Sequence, residues 1–567
     1  MLKSFSFNSV LITLFVLFYS INVHSQVAYE HIQSTKIYDF LDEMASMQII
    51  ELNSTIKPYS RTFIAEQLII AQSKKEELNN RQQKELELHL EEYAIENKEY
   101  YSKSKYSIFN KNSSFDNSIN PLSINYYDSN FRATIRPIAG RTYDIRDDKE
   151  YRYHNRIGAN FVGYIGNNLS IYASLRDNYQ KNDIYSQPNF LTLYEGGSHK
   201  VNNGGRLGAD YSEMRGGITY AWIWGNIGLV KDHLEWGDNN HGSNILSGRT
   251  PSFASVKLNL KPAKWFELNY FHGWLVSMEI DSSRSYTSST GVKRKVFSDK
   301  YIAANMFTIR PFKNFSFSFG NSIVYSDKGI QAAYLIPVMF FKSIDHTLTR
   351  GVENENSQMF FNLSSRNIKN IHLYASFFID EFSKTRIGDP KRTNFISYKA
   401  GLKTSNFLVE NISLTAEYTH TKPMTFKHRV PSTTFETNRY NLGNYLVDNA
   451  EEIYLALNYK PHYKVGITAS FTQILKGNDY PYLVGTNLPK VDEFEFLRDI
   501  IWNKQHLSIE VNYQILNTVK LEIGVSKSII KTKDADNQSA QYYLNKFTSA
   551  FEQGNHFIFR TGLNIGF

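Results

Sequence analysis

The sequence contains no cysteine among its 567 residues. This excludes structural disulfides and lipidation on cysteine, and it argues against thiolate metal sites and cysteine nucleophiles. The chain also has no Gly-x-Ser-x-Gly elbow and no His-Glu-x-x-His sequence. Asp380 and Glu381 are adjacent, so on a strand they point to opposite faces and do not form a catalytic pair. We therefore predict no enzyme, and we expect no catalytic residue, cofactor or metal.

Long hydrophobic runs are also missing from most of the chain. One apolar run, Val10 to Tyr19, follows Lys3 and precedes Val23-His24-Ser25. It is too short for a membrane-spanning helix, which needs roughly 20 residues, and its flanks predict a signal peptide over 1–25. No later stretch approaches that length. Any membrane span must therefore consist of β-strands.

The excess of positive over negative charge is small, whereas aromatic residues are abundant. The net charge is only +8, and no dense cluster of Lys and Arg is present, so nucleic acid is not expected as a partner. Aromatic residues make up 15% of the chain, with 38 Tyr and 39 Phe, although the mean hydropathy is −0.41. Many rings in a chain that is not apolar overall are typical of aromatic girdles around a barrel with a polar lumen.

The last residues of the chain alternate strictly between apolar and polar or small side chains. Phe557, Phe559, Leu563, Ile565 and Phe567 share one face of a predicted strand. A C-terminal strand that ends on an aromatic residue resembles the assembly signal of outer-membrane barrels. We therefore predict Phe567 as a membrane assembly signal, read by the barrel assembly machinery.

The same alternation recurs from Phe131 to the end of the chain and predicts 18 strands, within about two. The predicted strands are 131–139, 155–165, 169–178, 213–223, 227–237, 253–260, 264–276, 300–310, 313–326, 357–366, 371–382, 394–404, 411–420, 451–459, 463–473, 505–515, 518–530 and 555–567. Their connections are predicted to alternate strictly between short turns and long segments, which is typical of outer-membrane barrels. We predict an all-β transmembrane fold in the cell outer membrane, in contact with its lipid.

The region before the barrel differs in its periodicity. Helical spacing is found at Ile37, Phe40 and Leu41, and Ser60 and Asn80 are predicted to cap two further helices. Three short helices make a poor core alone, so we expect them to pack on the periplasmic mouth of the barrel. The predicted organisation is a signal peptide at 1–25, a helical region and linker at 26–130, and a barrel at 131–567.

The segment from Glu213 to Phe253 contains three of the six tryptophans and a polar stretch between two predicted strands. Aromatic rings stack on sugars, and nearby polar groups bind their hydroxyls. The candidate polysaccharide-binding residues are Trp236, Asp238, Asn239, Asn240, His241 and Arg249. The alternative is that the tryptophans lie at the bilayer interface and that the polar groups close the lumen.

Several short motifs along the chain resemble the family of Wzi-type capsule assembly outer-membrane proteins, in particular its members from Bacteroidetes-like bacteria. These motifs are Lys57-Pro58-Tyr59-Ser60-Arg61, Ser174-Leu175-Arg176-Asp177, Gly228 with Lys231-Asp232, Trp236-Gly237 and Leu246-Ser247-Gly248-Arg249, Phe271-His272-Gly273-Trp274, Phe378 to Phe382, Glu417 to Pro423, and Leu442-Gly443-Asn444 with Asp448 to Glu451. The resemblance implies a lectin-like barrel that retains exported surface polysaccharide. A role in gliding motility or surface adhesion remains an alternative, and a porin, whose lumen is open, is a less favoured one.

Overall fold

A computed structural model describes residues 26–97, 115–116, 122–201, 208–326, 329–348, 355–388, 393–406, 409–480 and 494–566. The predicted signal peptide and Phe567 lie outside these ranges. Eighteen antiparallel strands form a closed barrel. They are β1 Phe131–Arg146, β2 Tyr151–Ile165, β3 Leu169–Lys181, β4 Ala209–Trp222, β5 Gly225–Asp232, β6 Phe253–Ala263, β7 Phe266–Thr287, β8 Lys293–Ile309, β9 Phe315–Ser326, β10 Asn356–Ser365, β11 Ile371–Glu381, β12 Phe395–Ser405, β13 Ile412–Thr421, β14 Ala450–His462, β15 Val465–Gly477, β16 Ile500–Leu516, β17 Val519–Thr532 and β18 Phe557–Ile565.

The first and last strands close the barrel. β18 pairs with the C-terminal half of β1, from Ile565 opposite Ala139 to Ile558 opposite Arg146. The N-terminal part of β1 pairs with a short strand, Ile124–Tyr127. The predicted number and order of the barrel strands are therefore confirmed.

The outer surface of the barrel follows the predicted alternation. Leu507 and Ile509 on β16, and Phe557 and Phe559 on β18, are exposed, whereas the neighbouring Ser508 is buried. Exposed apolar side chains on alternate positions are those required on a lipid-facing wall. The predicted apolar outer face of the terminal strand is confirmed for its described residues.

The strict alternation of turn lengths is wrong at two places. At one end of the barrel, called here the short-turn end, connections such as 166–168 and 463–464 have only a few residues. The opposite, outer end has long connections, yet 147–150 and 288–292 are also tight turns there. At both places, β1 with β2 and β7 with β8, the two strands stay paired beyond the apolar band of the barrel. Asp281 opposite Val296 is an example. The outer halves of these strands carry polar side chains, so apolar alternation in the sequence does not reveal them.

Five short helices accompany the barrel in the described part of the chain: α1 Thr35–Ser46, α2 Arg61–Ser73, α3 Asn80–Glu92, α4 Phe341–Leu348 and α5 Ala540–Phe547. Ser60 caps α2 by accepting a hydrogen bond from the Phe63 amide. The cap of α3 is Asn79, in a capping box with Gln82, and not the predicted Asn80. No helix in the described residues is both long and apolar enough to cross a membrane.

The three N-terminal helices cover the short-turn end of the barrel. Their apolar stripes pack on each other around Phe40, Met44 and Leu68. Their polar residues bind the turns: the carbonyl of Ser46 accepts from the Asn370 amide at 2.6 Å, and Glu85 pairs with Lys460 at 3.0 Å. The helices therefore close this mouth of the barrel.

Candidate functional site

The connection 233–252, called here the inserted loop, turns into the lumen of the barrel. β5 ends at Asp232 and not at the predicted residue 237. Within the lumen, Glu235–Trp236 pairs with Leu246–Ser247 on one side and with Ile56–Lys57 of the N-terminal region on the other. Lys57 also forms an ion pair with Glu235 at 2.7 Å. The inserted loop thus joins the N-terminal region, whose helices α1 to α3 are called here the helical cap, to the barrel wall.

Trp236 lies at the centre of an apolar cluster inside the barrel. Its side chain is 2% exposed, and its ring meets Phe271 and Phe360 edge to face at centroid distances of 5.1 and 6.0 Å. The other buried members are Leu234, Ile245, Leu246, Phe253, Leu275, Ile302, Ala304, Met306, Val324, Phe378, Phe426, Phe435 and Leu442. The predicted polar lumen therefore contains an apolar sector. Trp236 packs like a core residue and presents no open face.

Asp238 and Asn239 bind groups within the protein. The Oδ2 atom of Asp238 accepts hydrogen bonds from Thr55 at 3.1 Å and from Asn362 at 2.6 Å. Asn239 donates to Glu235 at 3.2 Å. These contacts fix the inserted loop to the N-terminal region and to the inner face of β10.

Asn240 and His241 lie beside Glu417 on β13. Their backbone amides donate to the two oxygens of this carboxylate at 2.6 and 2.9 Å, and Lys399 pairs with the same group at 2.9 Å. The ring of His241 stacks on Tyr454 at 4.0 Å between centroids, with 13° between the planes. Burial, together with the charge of Lys399, lowers the pKa of His241 to about 3, so this ring is neutral at physiological pH.

Arg249 lies apart from the other candidates. Its Nη2 donates to the carbonyls of Phe190 at 2.7 Å and Gln187 at 3.1 Å, and its guanidinium faces the ring of Tyr440. It therefore holds the β3–β4 connection. Of the six candidates, only His241 is among the residues that line the pocket described next.

A pocket of about 330 Å³ lies in the lumen on the side of β14 to β18. Its wall carries hydroxyl groups at every second position of neighbouring strands, including Thr468, Ser470, Thr472, Ser508, Ser526 and Ser528. Tyr194, His241, Tyr445, Tyr454 and His506 add rings. Sequence analysis missed this site, although the alternating hydroxyls of β15 and β17, the two strands that flank β16, are a usable signal.

The charged residues of the pocket neutralise one another. Arg152 binds Asp144 and Glu552, each at 3.0 Å, and Asp144 also binds Arg560 at 2.7 Å. Lys504 pairs with Glu552 at 3.3 Å. Burial raises the pKa of Glu552, yet Lys504 and Arg152 outweigh it and lower this pKa to about 2. The network makes a rigid wall of the pocket, with cations and anions in mutual contact.

Comparison with known proteins agrees with the barrel fold and with the family that the sequence motifs resemble. The family model for the capsule assembly protein Wzi matches residues 130–542. The chain belongs to the Wzi family. No curated protein sequence matches it. As a Wzi-family barrel it is an outer-membrane protein, and its short-turn end faces the periplasm.

Among solved structures, the chain is similar to Wzi of Escherichia coli, which is described as an outer-membrane protein involved in group 1 capsule assembly and as a carbohydrate-binding β-barrel. The two are 10% identical, the match covers 96% of this chain and 100% of that one, and the TM-score is 0.55. This likeness shows the fold. OccK1 (OpdK) of Pseudomonas aeruginosa is 9% identical, with 76% of this chain and 98% of that one covered and a TM-score of 0.41.

Proposed function

We propose that this Wzi-family barrel binds exported surface polysaccharide and holds it at the cell surface, without catalysis. The observation that carries the proposal is a lumen blocked by protein that nevertheless keeps a polar, ring-lined pocket. The N-terminal helices close the periplasmic mouth, and the inserted loop occupies the sector around Trp236. Such a lumen suits a binding protein better than a porin.

The chemistry of the pocket suits a saccharide. Hydroxyl groups on β15 to β17 offer both donors and acceptors to sugar hydroxyls. The stacked His241 and Tyr454 rings offer an apolar face to a sugar ring, and the paired charges leave no strong field of one sign. The volume, about 330 Å³, is at the lower end of the roughly 300–1,000 Å³ typical of small-ligand sites. The pocket therefore suits a short stretch of a polysaccharide.

We propose that Tyr454 and Ser508 of the pocket wall contact sugar directly. Of the six residues predicted from the sequence, His241 is the one that we propose to do so. The other five support the site: Trp236 and Asp238 by fixing the inserted loop, Asn239 and Asn240 by binding neighbouring groups, and Arg249 by holding the β3–β4 connection.

Retention of polysaccharide by living cells tests the proposal. A strain lacking this protein is complemented with wild type, with Tyr454→Ala or with Trp224→Ala, and the polymer bound to cells is measured against the polymer released into the medium. Trp224 is a matched control because it lies at the short-turn end and is 42% exposed. We expect the deletion and Tyr454→Ala to release polymer, and Trp224→Ala to retain it.

Full retention by the deletion strain would contradict the proposal. A loss of surface spreading without loss of polymer in that strain would favour the motility or adhesion alternative.

A further inference from the structure

Four side chains from distant parts of the sequence meet inside the barrel, away from the pocket. His31 precedes α1, Glu195 lies in the β3–β4 connection, Glu213 lies on β4, and His233 opens the inserted loop. We propose that these four residues bind one divalent transition-metal ion of the zinc class, which ties the N-terminal region to two outer connections of the barrel.

The ligand atoms are already close to one another. Nε2 of His233 lies 3.3 Å from Oε1 of Glu195 and 3.3 Å from Oε1 of Glu213. The His31 and His233 rings are 5.3 Å apart between centroids, and ligand atoms of His31, Glu195 and His233 all lie within 4.8 Å of one another. Four tetrahedral ligands at about 2.0 Å from zinc lie about 3.3 Å apart. The contacts of His233 with the two carboxylates therefore have the spacing of a zinc site, and His31 lies in one group with Glu195 and His233.

The same atoms are buried, and the contacts of His233 with the two carboxylates are ion pairs within the cluster itself. Side-chain exposure is 8% for Glu195, 6% for Glu213 and 1% for His233. Within the described residues, His31 Nε2, Glu195 Oε1, Glu213 Oε1 and His233 Nε2 have no hydrogen-bond partner. Buried polar atoms are nearly always satisfied, so His31 Nε2, which has no partner beside these ion pairs in the described residues, indicates a missing ligand.

The outer atoms of these residues are held in the orientation that a metal requires. Nδ1–H of His233 donates to the Thr250 carbonyl at 3.0 Å, which leaves the lone pair of Nε2 for a metal. The second oxygen of Glu195 accepts from Arg176 and from Gln33, each at 2.6 Å. Both groups are thereby aimed into the site.

His31 must change its tautomer to bind. Its Nδ1 accepts a hydrogen bond from the Gln33 amide at 2.9 Å, so Nε2 carries the proton in the metal-free protein. Metal binding through Nε2 moves this proton to Nδ1 and releases the amide. Gln33 is exposed, so water replaces the contact.

The donor set and its charge select the class of ion. Two imidazoles and two carboxylates suit zinc, whereas calcium and magnesium prefer oxygen ligands alone. The two carboxylates supply negative charge beside a divalent ion, and Glu195 shares its outer oxygen with Arg176. A neighbouring cavity of about 80 Å³, lined by His31 and Glu213, has room for a water molecule beside the ion.

Metal content decides the proposal. Mature protein purified in detergent is freed of metal with EDTA, dialysed against Zn²⁺ or Co²⁺, separated from free ion, and measured by mass spectrometry and visible absorption. We expect one ion per chain and the visible bands of tetrahedral cobalt. His233→Gln and Glu195→Gln should weaken zinc binding by about 10-fold or more, with heat-modifiable migration used to confirm folding.

His272→Gln is the matched control, because His272 is a buried lumen histidine that bonds to Tyr325 outside the site. It should keep the ion. If folded wild type takes up no more zinc than folded Glu195→Gln, the proposal is overturned, and His233 is a protonated imidazole paired with two carboxylates. If His233→Gln does not fold, the wild-type zinc content and cobalt spectrum still decide the matter.

Discussion

At the scale of single residues, the direction of a side chain decides its role in this barrel. Trp224 and Trp236 belong to the same tryptophan-rich segment. Trp224 is 42% exposed and meets Trp222 edge to face near the short turn, where aromatic residues anchor barrels at the bilayer interface. Trp236 is buried against Phe271 and Phe360 and acts as the core of the lumen.

Trp236→Ala should destabilise the protein by about 3–5 kcal/mol, as expected for removing a large buried ring. The loss should appear as a lower temperature for the heat-modifiable shift in migration. Trp224→Ala, with its exposed ring, should change that temperature much less. Equal effects of the two variants would show that Trp236 does not support the inserted loop.

At the scale of elements, ion pairs hold the helical cap on the short turns. Glu43 on α1 binds Arg81 on α3 and accepts from Asn406, which follows β12. Lys460 of β14 pairs with Glu85 at 3.0 Å. Burial raises the pKa of Glu43, but Lys460 and Arg81 outweigh it and lower this pKa from 4.5 to about 2. The charged form of Glu43 therefore stabilises the docked cap.

The docking of the cap should weaken in acid. Because the pKa of Glu43 is lower in the folded state, its contribution is complete above about pH 4.5 and is lost as the pH falls towards 2. Cleavage of the N-terminal region by an acid-active protease should accelerate over this range. Glu43→Gln should be cleaved faster already at neutral pH, as measured with a neutral protease, whereas Glu87→Gln, at an exposed position of α3, should behave as wild type. A cleavage rate independent of pH between 5 and 2.5 would contradict this account.

At the scale of the whole molecule, the outside of the barrel was predictable from the sequence and the inside was not. Lipid requires apolar side chains at alternate positions, so each strand carries its own signal, as β16 and β18 show. The destination of the inserted loop depends on pairing between Ile56 and Trp236, which are distant in sequence. The cluster of His31, Glu195, Glu213 and His233 is equally non-local, and no local motif marks it.

The sequence carries one local signal for the apolar sector of the lumen. Phe360-Phe361 and Phe377-Phe378 place aromatic residues on both faces of their strands. Phe360 and Phe378 point inward into the apolar cluster, whereas Phe377 is exposed on the outer surface. Consecutive apolar residues on a barrel strand therefore indicate a wall that packs against protein inside.

Binding of the cell's own purified surface polysaccharide to the detergent-purified barrel can be measured by titration calorimetry. We expect saturable binding by wild type and by Trp224→Ala, and affinity at least 10-fold weaker for Tyr454→Ala and His241→Ala chains that still fold. Binding by these two pocket variants equal to wild type would contradict a site at the pocket, and no binding by wild type would contradict the polysaccharide function itself.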